Sequence, residues 1–191
     1  MYRWLRNIHL WLGLFSFLFL LMYGVSSVQM AHNSWFSPRP KVIESRIAVP
    51  PESAESPRAL ARELMDRHGM RGELNQVRQT PDGFALRIVR PGTVYEVDYS
   101  RSTGEAKVRT NVATFIGMLN RIHHIGGVWH EYSLVNLWGV LVGLVSAALI
   151  VLGATGIYLW FKIHTERAIG IILLALSLGF SLPLIVLMRA A

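Results

Sequence analysis

The chain contains no cysteine. That absence removes disulfides, thiolate metal sites and the thioether attachment of a haem through a Cys-x-x-Cys-His motif. Charge is also scarce: charged residues make up 16% of the 191 positions against 52% hydrophobic, and the mean hydropathy is +0.35. A soluble domain of this length does not bury so much apolar side chain, so the question becomes where it collects. Acids are the rarer sign, 12 against 19 Lys and Arg. The bases are nearly all Arg and lie spread along the chain. They form no block of the kind that tracks phosphates, which argues against nucleic acid as a partner. A Gly-x-Gly-x-x-Gly loop for flavin or nicotinamide is missing, as are paired carboxylates near an apolar run and any Ser-His-Asp set. Classical acid–base and nucleophilic catalysis therefore have little to work with.

The apolar residues collect in three runs. Ile8–Met30, "IHLWLGLFSFLFLLMYGVSSVQM", carries no ionisable acid or base apart from His9. At 1.5 Å per residue it reaches roughly 34 Å, enough to cross a bilayer core. It exceeds the apolar stretch of about 7–15 residues in a signal peptide, so a retained anchor is expected. Leu134–Phe161 is a second run without formal charge, with Gly139 and Gly143 in GxxxG spacing. That spacing suits helix packing, within the chain or in a homodimer. A third run, Ala168–Met188, is interrupted by Pro183. Arg3, Arg6, Lys162 and Arg167 then mark the cytoplasmic ends, and the residues between the first two spans fall on the opposite side. In a Gram-negative cell that side is the periplasm.

The expected fold is an α-helical membrane protein with three transmembrane helices and a small periplasmic α+β domain inserted between helices 1 and 2. Residues 1–32 form the first transmembrane helix. The Pro- and Ser-rich segment 33–56 reads as an extended linker. Residues 57–110 form the α+β domain: Ser56 caps a helix that begins at Pro57 and runs out at Gly69. Three or four strands follow, separated by "TPDG", "RPG" and "RSTGE". Segment 111–133 holds an amphipathic interfacial helix and a His-rich stretch. The second span is 134–162, the cytoplasmic loop 163–167 and the third span 168–189.

Six of the seven histidines sit at or beside span ends. His9 and His164 define a cytoplasmic layer, and His32 with His123, His124 and His130 an outer one. His68 lies in the soluble module and reads as surface. Histidine is costly in a bilayer without a partner or a task. Two neutral imidazoles from different helices are what a low-spin b-type haem requires. Gly13 near His9, and Gly126 and Gly127 after His124, offer room for a porphyrin plane. With no cysteine and few carboxylates, haem b suits the set better than zinc or non-haem iron. One or two haems are expected. His9 and His32 stand roughly 34 Å apart on one helix, long for a single electron transfer. If only one layer binds haem, it is the outer one, with His32 and His124 as iron ligands and His123 or His130 as substitutes. Two other uses stay open: imidazoles that merely solvate helix ends, and an outer copper or iron site without porphyrin. Trp4, Trp11, Trp129, Trp138, Tyr158 and Trp160 read as an interfacial belt.

"WLRNIHLWLGL" and "LNRIHHIGGVW…LWGVLVGLVSAALIVLGATGIYLWFK" resemble the two signatures of PepSY-associated transmembrane proteins. The second ends in Thr155, Gly156, Leu159 and Trp160, and the module between them is similar to a degenerate PepSY domain. The resemblance covers most of residues 1–163. It implies a multi-pass protein of the bacterial inner (cytoplasmic) membrane. Relatives bind haem through histidines at span ends and reduce ferric iron or ferric siderophores on the periplasmic side. The family's first-span histidine falls on His9, and the one before its Gly-rich span on His123 or His124. Larger members have a further span and more soluble domain, so a full electron path implies a dimer or another partner, and the electron donor lies elsewhere. The competing expectation is a non-enzymatic membrane-anchored PepSY module that binds or regulates an envelope partner.

Overall fold

Residues 1–36, 39–162 and 167–190 are described by a computed structural model. They form helices α1 (Tyr2–Ala31), α2 (Pro57–His68), α3 (Phe115–His123), α4 (Ser133–Lys162) and α5 (Arg167–Ala190). The strands are β1 (Lys41–Ala48), β2 (Glu73–Thr80), β3 (Gly83–Arg90), β4 (Thr93–Ser100) and β5 (Glu105–Val112). Two compact units emerge, one of Met1–Leu18 with Leu144–Ala191 and one of Phe19–Gly143.

Three helices, α1, α4 and α5, are long and apolar enough to cross a membrane. The first two have 30 residues each, roughly 45 Å at 1.5 Å per residue, which covers hydrocarbon core and headgroups together. No described side chain of α5 is buried, and Pro183 sits within it. Arg167 at its start turns back to donate to the Phe161 carbonyl at 2.8 and 3.1 Å, satisfying an end carbonyl of α4.

In the Phe19–Gly143 unit the five strands make one antiparallel sheet in the order β1-β5-β4-β3-β2. β2 to β5 run as a meander whose hairpins turn at Pro81-Asp82, Pro91-Gly92 and Arg101–Gly104. Alternation puts Phe84, Leu86 and Ile88 of β3 across from Tyr99, Val97 and Tyr95 of β4 on one face. Leu60 and Leu64 of α2, fully buried, pack on that face together with Ala106 and Val108. The α2 helix starts where the sequence predicts. Ser56 Oγ accepts from Ala59 N at 3.2 Å, Pro57 occupies the first turn, and Gly69 at φ 66° ends the helix in the left-handed region.

Two expectations change. Residues 33–56 are not simply an extended linker, because Lys41–Ala48 forms β1 on the free edge of β5. The strand is almost wholly exposed, so backbone pairing holds it, and flanking prolines hide that from a pattern read on burial. The sheet accordingly has five strands, not three or four. Likewise Asn111 and Val112 end β5, and the amphipathic helix starts only at Phe115. Thr114 caps that helix, its Oγ1 accepting from Gly117 N at 3.1 Å. Thr114→Ala is expected to cost about 1 kcal/mol, measured as a lowered unfolding midpoint of the full chain in detergent, with Thr114→Ser near wild type.

Candidate functional site

His9 on α1 places Nδ1 2.9 Å from Oγ1 of Thr155 on α4. Thr155 has one hydroxyl hydrogen, and it is directed back along its own helix to the Val151 carbonyl at 2.7 Å, with Leu152 O at 3.2 Å. With that hydrogen on the Val151 carbonyl, the hydroxyl oxygen is an acceptor toward histidine and His9 donates through Nδ1–H. In the neutral ring the lone pair is then on Nε2. Gly156, the next residue, makes room for the ring: a Cβ there would lie 3.3 Å from His9 Cε1.

His123, the last residue of α3, repeats this arrangement in the other unit. Its Nδ1 lies 2.6 Å from Oγ of Ser26 on α1, and Ser26 donates to the Tyr23 carbonyl at 3.0 Å. By the same count of hydrogens His123 donates through Nδ1–H and keeps a lone pair on Nε2. Its ring rests on Tyr23, with centroids 4.3 Å apart. Desolvation, and then the neighbouring His124, hold its pKa below the usual imidazole value, which favours the neutral ring. Two further bonds hold α3 in place. Asn120 donates to buried Gln29 of α1 at 3.2 Å, and Trp138 of α4 donates to the Ile122 carbonyl at 3.1 Å. Phe19 stacks on Trp138 at 4.9 Å behind them.

The remaining histidines behave differently. His130 has both ring nitrogens engaged, Nδ1 with Glu73 Oε1 at 2.9 Å and Nε2 with the Gly126 carbonyl at 3.2 Å. Both partners are acceptors, so the two bonds are made together only when both nitrogens carry hydrogen. The hydrogen bond to Glu73 is the main reason its pKa rises. While both bonds are made, His130 presents no lone pair to a metal. His32 stacks flat on Trp35, centroids 4.0 Å and planes 8° apart. No hydrogen bond or ring contact joins His32 to His124, His123 or His130, so the expected His32–His124 pair is not brought together among the described residues. His124 is exposed, its ring tilted 5.6 Å from that of His123. His68 is exposed, as expected. His164 lies outside the described residues. Among the described residues no three His, Asp or Glu side chains converge as a metal-ligand set.

The glycines expected to admit a porphyrin serve packing where a neighbour is close. A Cβ on Gly13 would touch Leu152 at 3.9 Å, and one on Gly139 would collide with the Gly127 carbonyl. Gly139 is thus closed by its own chain and is not free for a homodimer, whereas a Cβ on Gly143 would meet nothing within 4 Å. Gly139→Ala is expected to lower stability by about 1–3 kcal/mol, because the 127–129 backbone must move. Gly143→Ala should be neutral. Thermal unfolding followed by tryptophan fluorescence separates the two.

What the sequence reading missed are the hydroxyl partners, Ser26 and Thr155, and the carboxylate Glu73. Hydroxyls inside apolar runs, in "GVSSVQM" and "GATG", were the available signal. An axial ligand to haem iron is a neutral imidazole that offers one nitrogen while a second group holds the other. By that donor chemistry His9 and His123 each fit as one axial ligand, and His130 does not.

Three helices of membrane-spanning length, with a five-stranded α+β module between the first and second in the sequence, define a membrane protein with a small α+β domain. The chain belongs to the PepSY_TM-like family, whose pattern it matches over residues 3–190. No curated protein and no solved structure matches it.

Proposed function

We propose that the chain is a membrane-embedded b-type haem protein that carries electrons, with His9 and His123 as axial ligands in its two units. The observation supporting this is the shared construction at the two histidines. A helix hydroxyl already back-bonded to its own turn takes the Nδ1 hydrogen and leaves Nε2 as a free donor. Bound haem would supply one-electron transfer. The chain's part is to hold each imidazole in one tautomer and orientation, through Thr155 and Ser26, and to keep His123 neutral by burial. His164, beyond the described residues, is the sequence candidate for a second ligand near His9. On the family resemblance the acceptor is ferric iron or a ferric siderophore. The loop charges support a sheet module on the periplasmic side of an inner-membrane chain.

A second reading has its own support. The His9–Thr155 and His123–Ser26 bonds each join separate helices, as polar pins between membrane helices do. In that reading the chain anchors a PepSY-like module that serves a partner and holds no cofactor. One measurement separates them: absorption spectra, oxidised and dithionite-reduced, of the full chain purified from haem-sufficient cells. The haem reading expects a Soret band and sharp visible bands on reduction. A folded but colourless protein leaves the anchored module.

A further inference from the structure

Between the outer face of the sheet and α3 lies a cavity of about 330 Å³ lined by Arg87, Arg90, Arg121, Asn75, Asn120 and His124, among others. No lining residue is acidic. Nε of Arg90 and Nη1 of Arg121 are fully buried and have no hydrogen-bond partner. None of the three arginines makes an ion pair within the described residues. The carboxylates nearby are engaged elsewhere, Glu96 with Arg109 at 3.9 Å and Glu73 with His130. A buried guanidinium atom with nothing to donate to is costly, and a second cation beside it adds repulsion. Burial, and then the charge of Arg87, indeed depress the pKa of Arg121. Forked guanidinium donors are satisfied best by a planar or tetrahedral oxyanion, phosphate above all.

The place in the fold narrows the source. α3 is tied to Ser26 and Gln29, close to the Ala31 end of α1, and to Trp138, close to the Ser133 start of α4. Those anchors lie within about 8 Å of the helix ends at 1.5 Å per residue. The headgroup layer of a bilayer is about 5–8 Å deep on each side. Trp35, Phe115 and Trp129 in the same unit are 69%, 70% and 80% exposed, the residues and exposure expected of an interfacial belt. At about 330 Å³ the cavity has room for a phosphate with a short polar stub, since one water takes about 30 Å³, but it is too small for acyl chains.

We infer that Arg87, Arg90 and Arg121 form a phosphate site at headgroup depth that takes the phosphate of an anionic phospholipid. The test uses the full chain, released from micelles into native mass spectrometry with phosphatidylglycerol, phosphatidylcholine or inorganic phosphate added. Wild type is expected to retain phosphatidylglycerol about tenfold over phosphatidylcholine, and Arg90→Gln/Arg121→Gln to lose that preference. Arg109→Gln, on the same sheet face but paired with Glu96, should keep it. If the double variant does not fold, exposed Arg87→Gln takes its place, with a loss of about threefold expected. Equal retention of the two lipids by wild type, or an equal loss in Arg109→Gln, overturns the site. Displacement of the lipid by millimolar inorganic phosphate, with the same arginine dependence, overturns the lipid source and makes a soluble phosphate the ligand.

Discussion

His123→Ala is expected to remove nearly all of the haem absorbance owed to its site, and His9→Ala that of the other. Each change deletes an imidazole whose Nδ1 is held by a hydroxyl and whose Nε2 has no hydrogen-bond partner among the described residues. The hydroxyl partners should give graded effects. Ser26→Ala and Thr155→Val free the Nδ1 hydrogen and let the ring turn, and loss of such an orienting bond costs about 10–100-fold in affinity. Thr155→Ser, which keeps an oxygen at the same place, should lie close to wild type. His130→Ala should leave the spectrum intact, since neither of its nitrogens is available. Titrating haem into each purified variant reads all of this. If His130→Ala abolished the bands and His123→Ala spared them, the assignment of lone pairs would be wrong. If wild type bound none, the helix-pin reading would stand, and Ser26→Ala and Thr155→Val would act on stability alone.

The sequence carried the three spans and the turns because those depend on composition over long windows and on residues with fixed backbone preferences. Ile8–Met30 could be nothing shorter than a membrane-length rod, and Ser56-Pro57 and Gly69 bracket α2 by local sterics and capping. β1 was hidden, since an exposed edge strand owes its existence to the backbone of β5 rather than to its own side chains. For the candidate site, the clustering of histidines at span ends was legible. The choice within "HHIGGVWH" was not. What distinguishes His123 from His130 is the partner on each nitrogen, one a serine 97 positions away and the other a glutamate 57 positions away. Contacts at such separation leave no periodic trace. Gly139 shows the same limit. Its GxxxG spacing marks a close approach, and only the fold shows that the approaching backbone is Gly127 of the same chain.

Glu73→Gln is expected to destabilise the Phe19–Gly143 unit by about 2 kcal/mol at pH 6, and by clearly less in alkali. Glu73 opens β2, and its two oxygens reach the residues ahead of α4, one to His130 Nδ1 at 2.9 Å and the other to Glu131 N at 3.1 Å. Both side chains of the pair are largely shielded, 18% and 20% exposed, so a charge-assisted bond there is worth about 1.5–3 kcal/mol rather than the fraction typical of a surface pair. Glu73 raises the folded pKa of His130 above its unfolded value. The stabilisation is therefore complete below the unfolded value of about 6.5 and is lost as pH rises through the raised folded one. Above that point the ring has one hydrogen for two acceptors, and either Glu73 or the Gly126 carbonyl goes without. The gap between wild type and Glu73→Gln, read from unfolding midpoints in detergent across pH 5.5–9, should thus be widest in acid and narrow steadily. It should not close, because the Glu131 bond does not titrate with His130. A gap that stays flat would mean that His130 does not change charge across this range, and one that widens with pH would reverse the sign of the linkage. With the expected slope, the tie between the sheet and the segment entering α4 tightens as the surrounding medium becomes more acid.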